Sequence, residues 1–589
     1  MDPSSVYIIG GVKKISPRIN SNSKVIFLDK VQKGFENQIF LIKKLQDDSD
    51  ILRKKFVKLQ EHVFKQLQHL VKEDDDYRYL LTNLFFEAAP YKSDTVYKFF
   101  KLNLIVDYIA ENKIKKLYLV NVTEDIANFF INNSHKLSFY VEKISIKKKD
   151  LSFKSQLLRS TLGALFSHLF IELKKKKNKI STQNSHFKKV VLSSYPGHSF
   201  NNGFSSHYFA DVSALLNKDY AWLFMYHGDI SKLHEESKLI KSEVNSFGFL
   251  DSYFSLTNFK EILIDYFRIR KKLKSINLEN LFILDKVDYL NLIKSDWLMS
   301  ISAVLINTLI FEKKFKNFFK INTKIEEIIY LMEYQPWEFV LNKVAHKNNV
   351  KTKASIHSIL RPNFMNYYCS ELIHSFYYTP SYVGANNNLS KARFLENGFS
   401  SKQTLKIEAQ RYNYLIKNND MLNQKVSKIR KSILISTSTN YKETKELLET
   451  FFLSNIVFEK VYIKEHPHMP VRSILDTSIK GFPPYELVKG SVQNAFQLSD
   501  IVYVANSSSV LLESVLSKKH TVSLISLSTL PMPAIDKAPN LYFVENENSL
   551  SNILTQLTKE IEIDYTKNAV TNDLYLNKEL SLWSKFLKI

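Results

Sequence analysis

The chain has 589 residues, 44% of them hydrophobic and 24% charged, with 12 glycines; it is too long for one hydrophobic core, and its composition excludes an extended linker or a low-complexity chain. Its single cysteine, Cys369, excludes a disulfide framework and a multi-cysteine metal site. The formal charge of +23, from 82 Lys and Arg against 59 Asp and Glu, suits nucleic acid, an anionic membrane or an anionic substrate equally and selects none of them.

The opening residues, MDPSSVYIIGG, have neither the basic start nor the apolar run of a secretory signal. No stretch of about 20 uninterrupted apolar residues is present, so a cytoplasmic protein is expected. SVYIIGG and KVIFLDK read as short apolar strands, and KKLYLVNV, TEDIANFFINN and LSFYVEKI as strand, helix and strand. Between them, FENQIFLIKKLQDDSDILRKKFVKLQEHVFKQLQHLV and the stretch from Thr95 to Asn112 repeat their apolar residues at helical spacing. Residues 150–180 join an apolar helical stretch, interrupted by Arg159 and His168, to a run of lysines at 174–177. The interruptions exclude a membrane span. The pattern fits an interfacial helix in peripheral membrane contact, or a buried helix followed by a solvated loop.

A second alternating series runs through KKVVLSSYP, YAWLFMYHGD and NLFILDKV, with helices in the gaps. IEEIIYLMEYQ, PWEFVLNKVAHKNN and KTKASIHS then read strand, helix, strand, with Pro336 in the first turn of the helix. The pattern turns irregular up to residue 430. The last series is KSILISTST, a helix from Tyr441, VFEKVYIKEHPH, QLSDIVYVANSSS, a helix VLLESVLSKK, and HTVSLISL. This alternation predicts parallel doubly wound sheets with ligands at the carboxyl ends of the strands.

Two loops fall at that edge. Lys464-Glu465-His466-Pro467-His468 follows the strand KVYI; the His466 imidazole can donate to a phosphate oxygen, and Pro467 narrows the freedom of the turn that aims it. Asn506-Ser507-Ser508-Ser509 follows DIVYVA and opens a helix. Ser507, Ser508 and Ser509 can therefore meet an anion with hydroxyls and free N–H groups, or serve only as a helix N-cap. Glu513, one turn further on, and Lys464 are candidates for the ribose or the nucleotide. His198, His207 and His227 with Asp229 match no metal-ligand spacing, and no nucleic-acid module is present; neither a metal nor a nucleic-acid partner is expected.

Together, KEHP and NSSSVLLE resemble the His-Pro and Ser-Ser motifs of bacterial GT-B glycosyltransferases that use CMP-activated sialic acid or Kdo; polyol-phosphate polymerases that use CDP-glycerol show similar motifs. Upstream, Glu333-Tyr334-Gln335-Pro336-Trp337-Glu338, the strand ending at His357-Ser358, and Ile407-Glu408-Ala409-Gln410-Arg411-Tyr412 are similar to the E-x-Q-x-W-E, H-S and E-A-L-R-Y signatures of the surface carbohydrate biosynthesis protein family. Gln410 stands in place of the leucine. FFEAAPYKS (85–93) and FSSHYFAD (204–211) are similar, less closely, to its E-K-N-P-Y-K and S-x-Y-W-G elements, with Phe209-Ala210 where Trp-Gly is usual.

The resemblance implies a GT-B-like α/β fold with two Rossmann-like doubly wound domains facing a cleft. Residues 1–385 would form the acceptor-side domain, enlarged by helical insertions, residues 386–430 the crossover, 431–565 the nucleotide-sugar-binding domain, and 566–589 a C-terminal helix. In such enzymes the histidine and serines hold the nucleotide phosphate, which here places His466, Pro467, Ser507, Ser508 and Ser509 at the donor. A CMP-linked sugar leaves with a single phosphate, and no D-x-D element is evident, so an inverting, metal-independent transfer is expected, with no cofactor beyond the nucleotide-sugar donor. The acceptor hydroxyl needs a general base from across the cleft; Glu333 is the first candidate and Glu87 the second, with His357 and Arg411 lining the cleft. The expected partners are the nucleotide sugar and a glycan or lipid-linked glycan acceptor, in the cytoplasm or at the inner face of the membrane. The alternatives are a CDP-polyol phosphotransferase or a nucleotide-sugar epimerase on the same fold and, from another class, a noncatalytic assembly or nucleic-acid-binding protein.

Overall fold

Three parallel sheets organise the chain in the computed structural model. The residues it describes are 5–10, 24–28, 45, 47–90, 92–147, 153–178, 188–194, 198–199, 204–206, 208–225, 247–255, 257–360, 364–417, 431–466, 469–479, 481–526, 529–530, 533, 535, 537–559 and 573–589, with side chains given for 155–167 of the helix at 153–178.

The first sheet takes β1 (Ser5–Ile9), β2 (Val25–Phe27), β3 (Lys116–Val120) and β4 (Tyr140–Lys143) in the order β2-β1-β3-β4. The second takes β5 (Lys189–Ser193), β6 (Ala221–Phe224), β7 (Phe247–Phe249), β8 (Glu327–Leu331), β9 (Lys351–Ser355), β10 (Tyr382–Ala385) and β11 (Thr404–Lys406) in the order β7-β6-β5-β8-β9-β10-β11. The third takes β12 (Ser432–Ser436), β13 (Lys460–Lys464), β14 (Glu486–Leu487), β15 (Ile501–Ala505), β16 (His520–Leu524) and β17 (Leu541–Val544) in the order β14-β13-β12-β15-β16-β17. Their central strands β8, β15 and β16 are buried along their whole length. Helices cover both faces of such sheets, so β8 and β15 are largely apolar runs rather than alternations.

The winding places the ligand edge. In the second sheet the chain enters at β5, moves outward to β7, then returns to β8 beside β5 and moves the other way. The third sheet repeats this from β12, returning at β15. Each is doubly wound, with a topological switch point between β5 and β8 or between β12 and β15. The GT-B-like pair of Rossmann-like sheets is therefore present. Its N-terminal half is enlarged by a four-stranded sheet of its own, together with the helices α1 (Ser49–Glu73) and α2 (Thr95–Glu111).

Several elements differ from their sequence readings. NLFILDKV does not join the second sheet. Asp285 and Lys286 adopt left-handed backbone (φ 49° and 70°), and the segment closes as an antiparallel hairpin of Ile283–Leu284 and Val287–Asp288. The strand in its place is β7, three residues long. The second sheet also runs past residue 385: the helix Asn388–Glu396 and β11 fall within the segment expected as a crossover.

Two helices brace a third. Phe153–Asn178 (α3) and Asn258–Lys274 (α4) both pack against Leu290–Ile321 (α5), including its π-helical turn at Ser300–Val304. By length and composition α5 could cross a membrane, but 67% of its apolar window is buried inside the fold. It is a core helix, with Trp297, Ile306, Ile310 and Phe318 in the largest apolar cluster.

The chain ends on the second sheet rather than the third. The helices Pro336–Lys347 (α6), Tyr441–Leu453 (α7) and Val510–Leu516 (α8) each follow a strand of their own sheet, β8, β12 and β15 in turn. Ser581–Lys588 (α9) instead places Trp583 and Phe586 in one cluster with Trp222, Phe224 and Ile329. Buried Glu408 fixes that return, accepting from the N–H groups of Leu582 and Trp583, both at 2.7 Å, while its carbonyl accepts from Trp583 Nε1 at 3.0 Å.

Candidate functional site

At the carboxyl edge of the third sheet, three adjacent strands, β13, β12 and β15, deliver the loops at 465–469, 437–440 and 506–509. The middle loop ties the outer two together. Thr437 Oγ1 accepts from the His466 N–H at 3.0 Å, and Glu443, in the first turn of α7 and fully buried, accepts from the Ser507 hydroxyl and from Thr529 Oγ1 at 3.1 Å. His466 and the serines thus flank one switch point, where open parallel sheets bind ligands. Pro467 lies outside the described residues, as do His207, His227 and Asp229.

The serines do different work. The Ser507 proton goes to Glu443. Ser508 Oγ accepts from the Val510 N–H at 3.2 Å, one residue before the N-cap position, while Ser509 at the N-cap makes no capping bond. Ser509 Oγ accepts from Arg411 at 2.7 Å. Because Ser508 and Ser509 use their oxygens as acceptors, their hydroxyl hydrogens stay available to an incoming anion.

Arg411 crosses from the second half to the third sheet. It stands in the turn Gln410–Tyr412, its Nε donates to Glu513 Oε1 at 3.0 Å, and a second nitrogen lies 2.9 Å from the same oxygen. Burial works against its charge, but Glu513 outweighs that and holds the pKa above the usual arginine value. Glu513, expected near the ribose, is 3% exposed, and its oxygens accept from Arg411 and, at 3.3 Å, from Tyr414. Lys464, expected near the nucleotide, donates through Nζ to the carbonyls of Gly490 at 2.7 Å and Val488 at 3.3 Å. Burial lowers its pKa.

At the second sheet's switch point, β8 runs directly into Glu333-Tyr334-Gln335-Pro336-Trp337-Glu338. Tyr334 takes the left-handed conformation, φ 57°, which costs a non-glycine residue about a kilocalorie per mole or more. Buried Glu338 offsets that cost by accepting from the N–H groups of Glu333 at 2.8 Å and Tyr334 at 3.1 Å. Gln335 Nε2 donates to Glu333 Oε2 at 2.9 Å, and Asn366 Nδ2 to the Glu333 carbonyl at 2.7 Å. The turn therefore presents a half-buried, oriented Glu333 at the strand end, while Trp337 goes to the core against Tyr330.

Glu87 reaches the same place from the N-terminal part. It is 2% exposed and accepts from Lys92 through Oε1. Burial raises its pKa, Lys92 opposes this, and the nearby Glu333 adds to it. Of the two base candidates, Glu333 is the accessible carboxylate and Glu87 the one biased towards its neutral form.

The Tyr208 ring meets the His357 ring edge-on, centroids 5.2 Å apart. Burial raises its pKa; Arg411 counteracts this and Glu333 reinforces it. The link from this half to the third sheet is made by Arg411, through Ser509 and Glu513. Of Glu87, Glu333, His357, Arg411 and Tyr208, the sequence pointed to all but Tyr208, although FSSHYFAD contains it; Glu338 stands in the E-x-Q-x-W-E match without a role, and Glu443 carried no signal, yet these two hold the two loops.

No family model and no curated protein matches the chain. Several solved structures are similar to the chain at a low level. UDP-GlcNAc 2-epimerase from Neisseria meningitidis, bound to UDP-GlcNAc, matches at 12% identity and TM-score 0.37, covering 63% of this chain and 91% of its own. MurG from Acinetobacter baumannii matches at 10% and 0.32, covering 63% and 91%. The wall teichoic acid polymerase TagF, with CDPG, matches at 12% and 0.30, covering 69% and 90%. At these values the likeness says nothing of this chain's activity, and the fold assignment rests on the strand order and the two switch points.

Proposed function

We propose that the chain is a GT-B-type glycosyltransferase of bacterial surface polysaccharide biosynthesis. It transfers a CMP-activated nonulosonic acid or Kdo-like sugar to a glycan or lipid-linked glycan acceptor, with inversion and without a metal. The observation that carries this reading is the pair of switch points, one with the accessible Glu333 carboxylate and the other with the His466 and serine loops, tied by the bond from Arg411 to Ser509.

In the proposed reaction Glu333 takes the proton of the acceptor hydroxyl as its oxygen attacks the anomeric carbon. The bond from that carbon to the phosphate oxygen breaks with inversion, and CMP leaves. Hydrogen bonds from His466, Ser508 and Ser509 stabilise the charge developing on the phosphate, and Arg411 fixes Ser509 for that task. Glu338 and Gln335 keep Glu333 in place, a positioning role. The reaction belongs in the cytoplasm, where nucleotide-activated sugars are made.

CMP release from CMP-N-acetylneuraminic acid and CMP-Kdo, with a lipid-linked glycan acceptor, tests the proposal. Turnover of one of these donors is expected, reduced by about a hundredfold or more in Glu333→Gln with an unchanged melting temperature. Turnover confined to CDP-glycerol would make the chain a polyol phosphotransferase, and reaction of a UDP-sugar without acceptor would make it an epimerase.

A further inference from the structure

We propose that the outward faces of α4 and α3 form a docking surface for an anionic lipid bilayer. The inner face of α4 is conventional, with Ile262, Tyr266, Ile269 and Leu273 buried. Its outer face is not. Lys260, Ile264, Phe267, Lys271 and Lys274 follow one another at alternating spacings of four and three residues, and all are exposed, Ile264 by 58% and Phe267 by 63%. A surface helix ordinarily turns polar residues to solvent. Two large apolar side chains set between lysines on one face are the pattern of a helix that lies in a membrane interface.

The charges on that face are also of one sign. Lys260, Lys271 and Lys274 make no ion pair among the described residues. Of the acidic neighbours, Glu261 is taken by Lys313, and Asp265 by Arg268 at 2.8 Å. What remains free is basic.

The helix α3 supplies a second stripe. Leu158 and Phe166 are 62% and 60% exposed, with exposed Leu162 between them at spacings of four residues, while Ala164 and Leu165 are part-buried against the core. The helix continues through the lysine run at 174–177. Both α3 and α4 brace against the same turn of α5. Single exposed apolar residues are ordinary; a stripe of them on each of two helices is not. Lysine flanks favour lipid phosphates over a protein partner, because protein interfaces are depleted in lysine.

Cosedimentation of the full chain with phosphatidylcholine vesicles, with and without phosphatidylglycerol, tests this. Binding to the anionic vesicles is expected, falling with salt. Lys260→Gln/Lys271→Gln/Lys274→Gln should weaken it by about a hundredfold, at roughly fivefold per lysine. Ile264→Ser/Phe267→Ser should weaken it too, and both variants should keep the parent's melting temperature because all five sites are exposed. Equal binding to neutral vesicles, no vesicle binding, or variants that bind like the parent would overturn the proposal. So would a dimer dispersed by Ile264→Ser/Phe267→Ser in a chain that ignores vesicles. No nucleotide enters this experiment, so its outcome is independent of the donor reading.

Discussion

Arg411 and Glu513 form an ion pair across the two halves of the molecule, the guanidinium following the second sheet and the carboxylate lying in α8 of the third. Three residues before Arg411, Glu408 fastens the C-terminal helix to the second sheet. One short segment therefore fixes both the return of the chain and the seat of the serine loop.

Removing one partner of that pair leaves the other short of its charge. Glu513→Ala is expected to cost about 2–3 kcal/mol, less than for a fully enclosed pair because Arg411 retains 35% side-chain exposure. Denaturant unfolding measures this, and a loss below about 0.5 kcal/mol would mean that the pair does not hold the two halves. Donor KM should rise as well, since Arg411, which anchors Ser509, loses the carboxylate that holds it.

Glu87 gives a signature in pH. Burial raises its folded-state pKa, so the fold keeps the proton to higher pH than the unfolded chain does. The stability this confers is fully present below the unfolded value, 4.5, and is lost as pH rises through the folded value. Glu87→Gln cannot ionise and avoids that loss. Its stability relative to the parent should increase from acid to neutral pH, as read from melts across that range; parallel profiles would contradict the assignment.

A transfer driven by hydrogen-bond donors has no use for a divalent ion. Turnover is expected to survive exhaustive EDTA treatment unchanged. Loss on EDTA and recovery with magnesium or manganese would place a metal at the phosphate and displace His466 from that role.

The fold was legible where burial is continuous. β8, β12, β13 and β15 carry apolar runs followed by turn or cap residues, and the positions of His466, the serines and Glu333 followed from reading them as parallel strands. β7 and β11 were invisible because three residues carry no period, and NLFILDKV misled because its apolar run conceals a turn that only the left-handed Asp285 and Lys286 reveal. The partners in the site were harder still. Glu443 binds Ser507 from another strand–helix unit, and no local pattern joins them. Glu513 looked like a ribose ligand at one turn from Ser509, and the same spacing brings it to Arg411.

The central claim is that the third sheet's switch point binds CMP through His466, Ser508 and Ser509, and the most direct test is thermal melting of the chain with CMP, CDP, UMP, UDP and GDP. A ligand that binds only the folded state raises the melting temperature by mass action. The account predicts a rise with CMP that is absent in His466→Ala and in Ser508→Ala/Ser509→Ala, both melting like the parent without nucleotide. A rise with UDP or GDP but not CMP, or a CMP effect that survives in both variants, would contradict it.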